Sequence, residues 1–135
     1  MSVDLSLDKN LILPHLKVST QQEVLIKLAD LLKKQGKVKD GYKEAIIKRE
    51  GEYPTGLPST EPSIAIPHAN YKLVNTTTLA IATLEEPVAF HNMENINETL
   101  DIQIVMMMAI GTPHGQVEML QRVVSIIQDE KLRNN

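Results

Sequence analysis

LDIQIVMMMAI, residues 100–110, is the segment that decides the fold, because almost every position in it is apolar. A strand with one face in water alternates apolar and polar residues, whereas a strand covered on both faces reads as a nearly continuous apolar run. The segment is shorter than the ~18 apolar residues of a membrane-spanning helix, and Gly111-Thr112-Pro113 ends it. We therefore predict a sheet strand that is buried on both faces.

Segments of two other kinds surround this strand in the sequence. Short apolar or β-branched runs predict further strands, and apolar residues at a spacing of three and four predict helices. Thr20-Gln21-Gln22-Glu23 is a capping-box pattern, which opens the first helix, and Asp40 is placed to cap the second. Strands are therefore expected at residues 11–13, 63–66, 76–84, 88–90 and 100–110, and helices at 20–36, 40–51 and 115–129.

This alternation of strands and helices predicts a single layered α/β domain. A chain of 135 residues has the length of one domain and is long enough to bury a substantial core. With one Phe, three Tyr, no Trp and six Met, that core must be mainly aliphatic, with methionine filling gaps.

The composition excludes several classes of function. The net charge is −3 and no Lys/Arg-rich run is present, so nothing indicates a general affinity for nucleic acid. The absence of cysteine excludes disulfides, thiolate metal sites and cysteine nucleophiles. The N-terminal residues MSVDLSLDKN lack the apolar region of a secretory signal. We therefore expect a cytoplasmic protein.

The run SIAIPHAN, residues 63–70, places a histidine directly after a short strand. Ligands of α/β sheets generally bind just beyond the ends of strands, and Pro67 stiffens the backbone there by fixing one dihedral angle. Histidine, with an ordinary pKa of about 6.5, is largely neutral and nucleophilic near pH 7. His68 is therefore either a reactive group on a rigid support or a structural residue at a strand end.

Two further residues are placed to reach the same edge of the sheet. His114 follows the strand at 100–110 and opens a helix, whose N-terminal N–H groups favour an anion. Arg49 precedes a long loop at 51–62 that leads into the His68 strand, and a guanidinium can bind two phosphoryl oxygens at once. The structural alternatives are a helix-start histidine and a solvated arginine at a helix end.

Metal chemistry is the rival interpretation. His114 and Glu118 lie four residues apart on the same predicted helix, and together with His68 they offer a ligand set for a metal-dependent hydrolase. The chain has no cysteine and no His-x-His pattern, so further ligands are few. His15 and His91 are expected at the surface.

Several of these residues together resemble a known family. The series Arg49-Glu50, Thr55-Gly56 and Ile64-Ala65-Ile66-Pro67-His68 resembles the signature of enzyme IIA domains of the bacterial phosphoenolpyruvate-dependent sugar phosphotransferase system, fructose–mannitol class. LDIQIVMMMAIGTPHGQVEMLQRVV, residues 100–124, resembles the second conserved block of that family. REGEYPTGL, residues 49–57, is most similar to the galactitol-specific branch.

The resemblance implies a three-layer α/β sandwich with a mixed β-sheet of about five strands flanked by helices. It implies a single enzyme IIA domain over residues 1–135, with a further C-terminal helix missing beyond Asn135. The sequence departs from the family pattern at Ala69, where glycine is frequent, and at Gly115, where an apolar residue is usual.

For function, the resemblance implies that His68 accepts a phosphoryl group from phospho-HPr and passes it to a cysteine of enzyme IIB during uptake of a galactitol-type sugar. His114 matches the second active-site histidine and Arg49 the phosphate-side arginine, while Thr55 and Gly56 match the binding loop. No metal or other cofactor is implied. The implied partners are HPr, a sugar-specific enzyme IIB and, without direct membrane contact by this chain, a membrane enzyme IIC.

Two other functions remain open at this point. A nitrogen-type regulatory IIA would use His68 as a phosphorylation-dependent binding module without a role in transport, and transfer to an enzyme IIB would distinguish the two. A metal-dependent hydrolase would use His68, His114 and Glu118, and a stoichiometric bound ion would support it.

Overall fold

The computed structural model describes residues 9–57 and 63–112 of the chain. Within these ranges one four-stranded β-sheet packs against two α-helices, which confirms the predicted α/β class. The strands are β1 (Ile12–Leu16), β2 (Ile64–Ala65), β3 (Thr78–His91) and β4 (Thr99–Ala109), and the helices are α1 (Gln21–Lys34) and α2 (Tyr42–Glu52).

The sheet is mixed, as predicted, and its strand order is β1-β3-β4-β2. β1 runs parallel to β3, β2 runs parallel to β4, and β3 and β4 are antiparallel. The apolar run at 100–110 therefore forms an inner strand, β4, with a partner on each side. Because β2 and β4 are parallel neighbours, the chain leaves both strands at the same edge of the sheet.

The described sheet has four strands rather than the expected five, because the runs at 76–84 and 88–90 belong to the single strand β3. Pro87 had suggested a break between them. In the structure, the pairing of β3 with β4 is interrupted between Thr83 and Val88, and β1 reaches only to Leu84. A proline is tolerated at such an irregularity because no ladder hydrogen bond needs its missing N–H.

Of the two N-caps predicted from the sequence, the one for α1 is confirmed and the one for α2 is wrong. Thr20 caps α1 as predicted, since its hydroxyl accepts a hydrogen bond from the Glu23 N–H at 3.3 Å. Asp40 does not cap α2. The N-cap is Gly41, whose φ of 93° lies in the left-handed region that favours glycine, and the Asp40 carboxylate pairs instead with Lys33 at 3.1 Å.

Apolar side chains cover both faces of the sheet in two separate clusters. Along β4, Val105 and Met107 belong to one cluster and Met108 to the other, since successive side chains of a strand point to opposite faces. Every buried hydrophobic residue of α1 and α2 belongs to the first cluster, so these helices cover that face. In the described ranges, no helix has the length and apolar character needed to cross a membrane.

Candidate functional site

His68 lies just past the end of β2, beside the last residues of β4, as its sequence position predicts. The Met108 N–H donates a hydrogen bond to the Pro67 carbonyl at 2.8 Å, and His68 forms an isolated parallel bridge with Met108. The Met108 carbonyl in turn accepts the Tyr42 hydroxyl at 3.0 Å. The backbone that carries His68 is thereby fixed to β4 and, through Tyr42, to α2.

The hydrogen bond of its ring fixes the tautomer of His68. The Nδ1 atom lies 3.0 Å from the carbonyl oxygen of Ile66, and a carbonyl oxygen can only accept, so Nδ1 carries the proton of the neutral imidazole. The lone pair of that ring is then on Nε2. The geometry presents Nε2 as the atom available for nucleophilic attack.

The surroundings of His68 also keep the imidazole neutral. Burial lowers the pKa of His68, the hydrogen bond to Ile66 partly opposes this effect, and the charge of Arg49 lowers the pKa further. Desolvation and a nearby cation both disfavour the charged imidazolium. His68 therefore keeps its Nε2 lone pair at neutral pH.

Arg49 lies in the last turn of α2, on the same side of the molecule as the segment after His68. Its guanidinium carbon is 5.3 Å from the centroid of the Tyr53 ring, a cation–π distance. Arg49 and Tyr53 line a shallow pocket of about 180 Å³ together with Ala69 and Asn70, which directly follow His68. The Arg49 Nε is buried without a hydrogen-bond partner among the described residues, so this donor is unsatisfied in the structure.

Thr55 is held by the buried carboxylate of Glu50. The Thr55 N–H donates to one carboxylate oxygen at 2.8 Å, and its hydroxyl donates to the other at 2.7 Å. Both residues are almost fully buried, with Glu50 3% and Thr55 2% exposed. Burial raises the pKa of Glu50 to about 7, although the two hydrogen bonds from Thr55 act in the opposite direction.

Gly56 attaches the same loop to the turn between β3 and β4. Its N–H donates to the His91 carbonyl at 3.1 Å, and its carbonyl accepts the Met93 N–H at 2.9 Å. A Cβ atom at this position would lie 2.7 Å from the His91 carbonyl oxygen. The close approach of the two backbones therefore requires glycine.

The structure thus gathers His68, Arg49 and the loop of Thr55 and Gly56 around the end of β2. The role of Glu50 was missed in the sequence, where it figured only as the neighbour of Arg49. Its spacing of four from Ile46, which is buried, is the signal that places it on the buried face of α2.

The remaining candidates are two residues outside the described ranges and two exposed histidines. His114 and Glu118, with the helix predicted at 115–129, lie outside the described residues. His15 and His91 are exposed, as predicted. Over 9–57 and 63–112 there is no group of three His, Asp or Glu side chains that could hold a metal ion.

Residues 5–135 match the family described as phosphoenolpyruvate-dependent sugar phosphotransferase system, EIIA 2. The chain belongs to this family. It is therefore a phosphotransferase component, since enzyme IIA domains of this system are phosphorylated on histidine and transfer the group to enzyme IIB. The resemblance drawn from the sequence signature is confirmed at the level of the fructose–mannitol class.

The relatives of this IIA domain are named for different sugars. The galactitol-specific EIIA component of Escherichia coli is 25% identical, over 80% of this chain and 71% of that protein. The fructose-specific EIIABC component of Bacillus subtilis is 27% identical, over 98% of this chain but only 20% of that longer protein. The IIA domain is thus similar both to a separate component and to part of a fused one.

A solved structure supports the fold. The complex of enzyme IIAMTL and phosphorylated enzyme IIBMTL from Escherichia coli contains a match with a TM-score of 0.70 and 25% sequence identity, covering 92% of this chain and 87% of that one. That relative was therefore captured with an enzyme IIB as its partner.

Proposed function

We propose that this IIA domain is a phosphocarrier for sugar uptake in which His68 accepts a phosphoryl group from phospho-HPr and passes it to a cysteine of a sugar-specific enzyme IIB. The observation that supports this role best is the hydrogen bond from Nδ1 to the Ile66 carbonyl. It leaves Nε2 as a neutral nucleophile on a rigid support at the end of β2. Family membership indicates the reaction, and this geometry supports Nε2 of His68 as the atom that performs it.

In the first transfer, the phosphorus–nitrogen bond of the donor phosphohistidine breaks and the Nε2 lone pair of His68 forms a new bond to phosphorus. The donor histidine keeps the electron pair of the broken bond, while the proton of His68 stays on Nδ1, hydrogen-bonded to the Ile66 carbonyl. In the second transfer, the bond from Nε2 to phosphorus breaks, and the thiolate of the enzyme IIB cysteine takes the phosphoryl group. His68 returns to its neutral form.

Stabilisation of charge is the main task left to the other residues, because phosphoryl transfer needs positioning and charge neutralisation more than covalent chemistry. Arg49 is permanently cationic and has a buried Nε without a partner in the described part of the chain, so we assign it to the phosphoryl oxygens. We assign one N–H donor to His114 on the family resemblance alone.

Thr55 and Gly56 act in this scheme by holding the loop. Each of them donates its N–H within the protein, to Glu50 and His91 respectively. Those donors are not available to a phosphoryl group while the loop keeps this conformation. The proposed contribution of both residues is therefore to fix the position of β2 and, with it, of His68.

For the substrate class we propose a sugar of the galactitol type. Support comes from REGEYPTGL at 49–57 and from the similarity to a galactitol-specific component. The sugar itself binds the membrane enzyme IIC, and this chain works in the cytoplasm without touching the membrane. Complementation of strains that each lack one sugar-specific IIA tests this. Rescue of growth on galactitol supports it, and rescue on fructose or mannitol alone contradicts it.

Mapping of the phosphorylated residue tests the central proposal. The protein is incubated with phosphoenolpyruvate, enzyme I and HPr, and the acid-labile phosphate is located. We expect label on His68 only, no label in His68→Ala, and normal labelling in the exposed-residue control His91→Ala. Main label on His15, His91 or His114 would overturn the assignment. Adding purified enzyme IIB then separates a phosphocarrier, which loses its label, from a regulator, which keeps it.

A further inference from the structure

A continuous series of hydrogen bonds joins a buried carboxylate to the imidazole of His68. Glu50 accepts the Thr55 N–H at 2.8 Å and its hydroxyl at 2.7 Å. The Thr55 carbonyl accepts the Ile66 N–H at 3.1 Å, and the Ile66 carbonyl accepts Nδ1 of His68, 3.0 Å away. Thr55 and Ile66 each take part in two consecutive contacts of this series. A displacement of Thr55 therefore shifts the Ile66 carbonyl, which orients the imidazole of His68.

We propose that Glu50 is a positioning residue for phosphoryl transfer, which fixes the orientation and tautomer of His68 through Thr55 and the backbone of Ile66. The proposal rests on the function proposed above, with His68 as nucleophile. Glu50 does not touch the reacting atoms in this scheme. It holds the loop, the loop holds the end of β2, and β2 carries the acceptor for Nδ1.

The charge of Glu50 gives this series its strength. Hydrogen bonds to an ionised acceptor are shorter and stronger than neutral ones, and consecutive hydrogen bonds polarise one another in a low-dielectric interior. A protonated carboxyl group offers only one good acceptor oxygen, whereas Thr55 presents two donors to it. Protonation of Glu50 therefore removes the charge from both hydrogen bonds, and both remain only if the Thr55 hydroxyl reverses and accepts from the carboxyl group.

A second support of the His68 backbone lacks this sensitivity. Tyr42 donates its hydroxyl to Met108, whose N–H binds the Pro67 carbonyl. The ordinary pKa of tyrosine lies above neutrality, and burial raises the pKa of Tyr42 further, so this support stays unchanged over the physiological range. Of the two supports, only the one through Glu50 changes its charge near pH 7.

The surroundings of Glu50 account for a change of charge near neutrality. Burial raises its pKa to about 7, and the side-chain and backbone hydrogen bonds from Thr55 moderate the rise. Neither the neighbouring Arg49 nor His68, nor any other charged group of the described residues, is among the causes of this shift. The ionised fraction of Glu50 thus rises from about one-tenth at pH 6 to about nine-tenths at pH 8.

The test compares rates of phosphoryl acceptance from phospho-HPr in wild type, Glu50→Gln and Glu44→Gln. Glu44 is an exposed residue of the same helix and serves as the matched control. A glutamine at position 50 can keep both hydrogen bonds by reversing the Thr55 hydroxyl, but it cannot ionise. Dividing the wild-type rate by each variant rate at the same pH removes the titration of the donor.

We expect the ratio of wild type to Glu50→Gln to rise by up to about tenfold between pH 6 and pH 8, following the ionised fraction of Glu50. The ratio for Glu44→Gln should stay constant. A constant ratio for Glu50→Gln overturns the proposal. If instead His68→Ala still accepts phosphate, the proposed function fails before this inference is reached, so the two failures are distinguishable.

A second variant keeps the test decisive if Glu50→Gln does not fold, which circular dichroism establishes. Thr55→Val removes the hydroxyl that favours the ionised form of Glu50, so it should move the acid limb of the rate profile to higher pH. ¹⁵N NMR of His68 should show the Nδ1–H tautomer in wild type at pH 8 and a mixture of tautomers in Thr55→Val. An unmoved acid limb together with an unchanged tautomer would refute the positioning role.

Discussion

Replacing Glu50 by glutamine should stabilise the protein at alkaline pH, although it removes a charged residue from a hydrogen-bonded site. Glu50 is 3% exposed, and its pKa rises from 4.5 to about 7 on folding. A raised carboxyl pKa means that the folded state prefers the protonated form. The contribution of Glu50 to stability is therefore fully present below about pH 4.5 and is lost as the pH rises through about 7.

The size of the effect follows from the shift. A difference of about 2.5 pKa units at ~1.4 kcal/mol per unit corresponds to roughly 3 kcal/mol of lost stability above the folded-state pKa. Glutamine keeps two hydrogen-bonding atoms at the positions of the carboxylate oxygens but carries no charge. We expect Glu50→Gln to exceed wild type by up to ~3 kcal/mol near pH 8.5 and by less than ~1 kcal/mol near pH 5.

Urea denaturation at the two pH values measures this difference directly. The gain should appear as a higher denaturation midpoint with an unchanged slope. Glu44→Gln, on the exposed side of the same helix, should show no such dependence on pH. If the advantage of Glu50→Gln over wild type does not grow from pH 5 to pH 8.5, the carboxylate is not held in a desolvated site, and the reasoning on Glu50 is wrong.

Three other predictions test the site. In thermal melts, Gly56→Ala should destabilise the protein by ~1–3 kcal/mol, because its Cβ meets the His91 carbonyl oxygen at 2.7 Å. The control Gly51→Ala lies in helix α2 with open space around it, so it should be neutral or stabilising. Arg49→Ala should slow both transfers by ~10²–10³ in rapid-quench measurements, with Arg49→Lys recovering part of the rate, and a wild-type rate would remove Arg49 from the site. NMR titration of His68 should give a midpoint below the ordinary 6.5, and a midpoint above it would contradict the desolvation of the ring.

Much of the sheet could be predicted because apolar periodicity reports burial directly. The run at 100–110 identified the inner strand β4. The strand count failed at Pro87, which reads as the end of a strand when only sequence neighbours are considered. Its tolerance inside β3 depends on the interruption of pairing between Thr83 and Val88, which is a property of the assembled sheet.

The candidate site, like the sheet, could be predicted only in part from the sequence. His68 could be identified because the strand and the proline that position it are its sequence neighbours. The pairing of Glu50 with Thr55 could not, because it depends on how the chain turns after α2. Whether a carboxylate is buried is decided by tertiary packing, and the spacing of Glu50 from Ile46 indicates only which side of the helix it occupies.

These results place stability and activity in opposition around neutral pH. As the pH rises from about 4.5 to about 7, the free energy of unfolding falls, because Glu50 ionises in the unfolded state before it ionises in its desolvated folded site. Ionisation in the folded state near pH 7 then strengthens the hydrogen bonds to Thr55 and, by the proposed route through Ile66, the orientation of His68. A glutamine would avoid the cost in stability but would supply no charge. The two pH dependences should therefore run in opposite directions in wild type and both disappear in Glu50→Gln. If Glu50 had only a structural role, the free energy of unfolding would still depend on pH in this way, but the ratio of wild-type to Glu50→Gln rates would stay constant with pH.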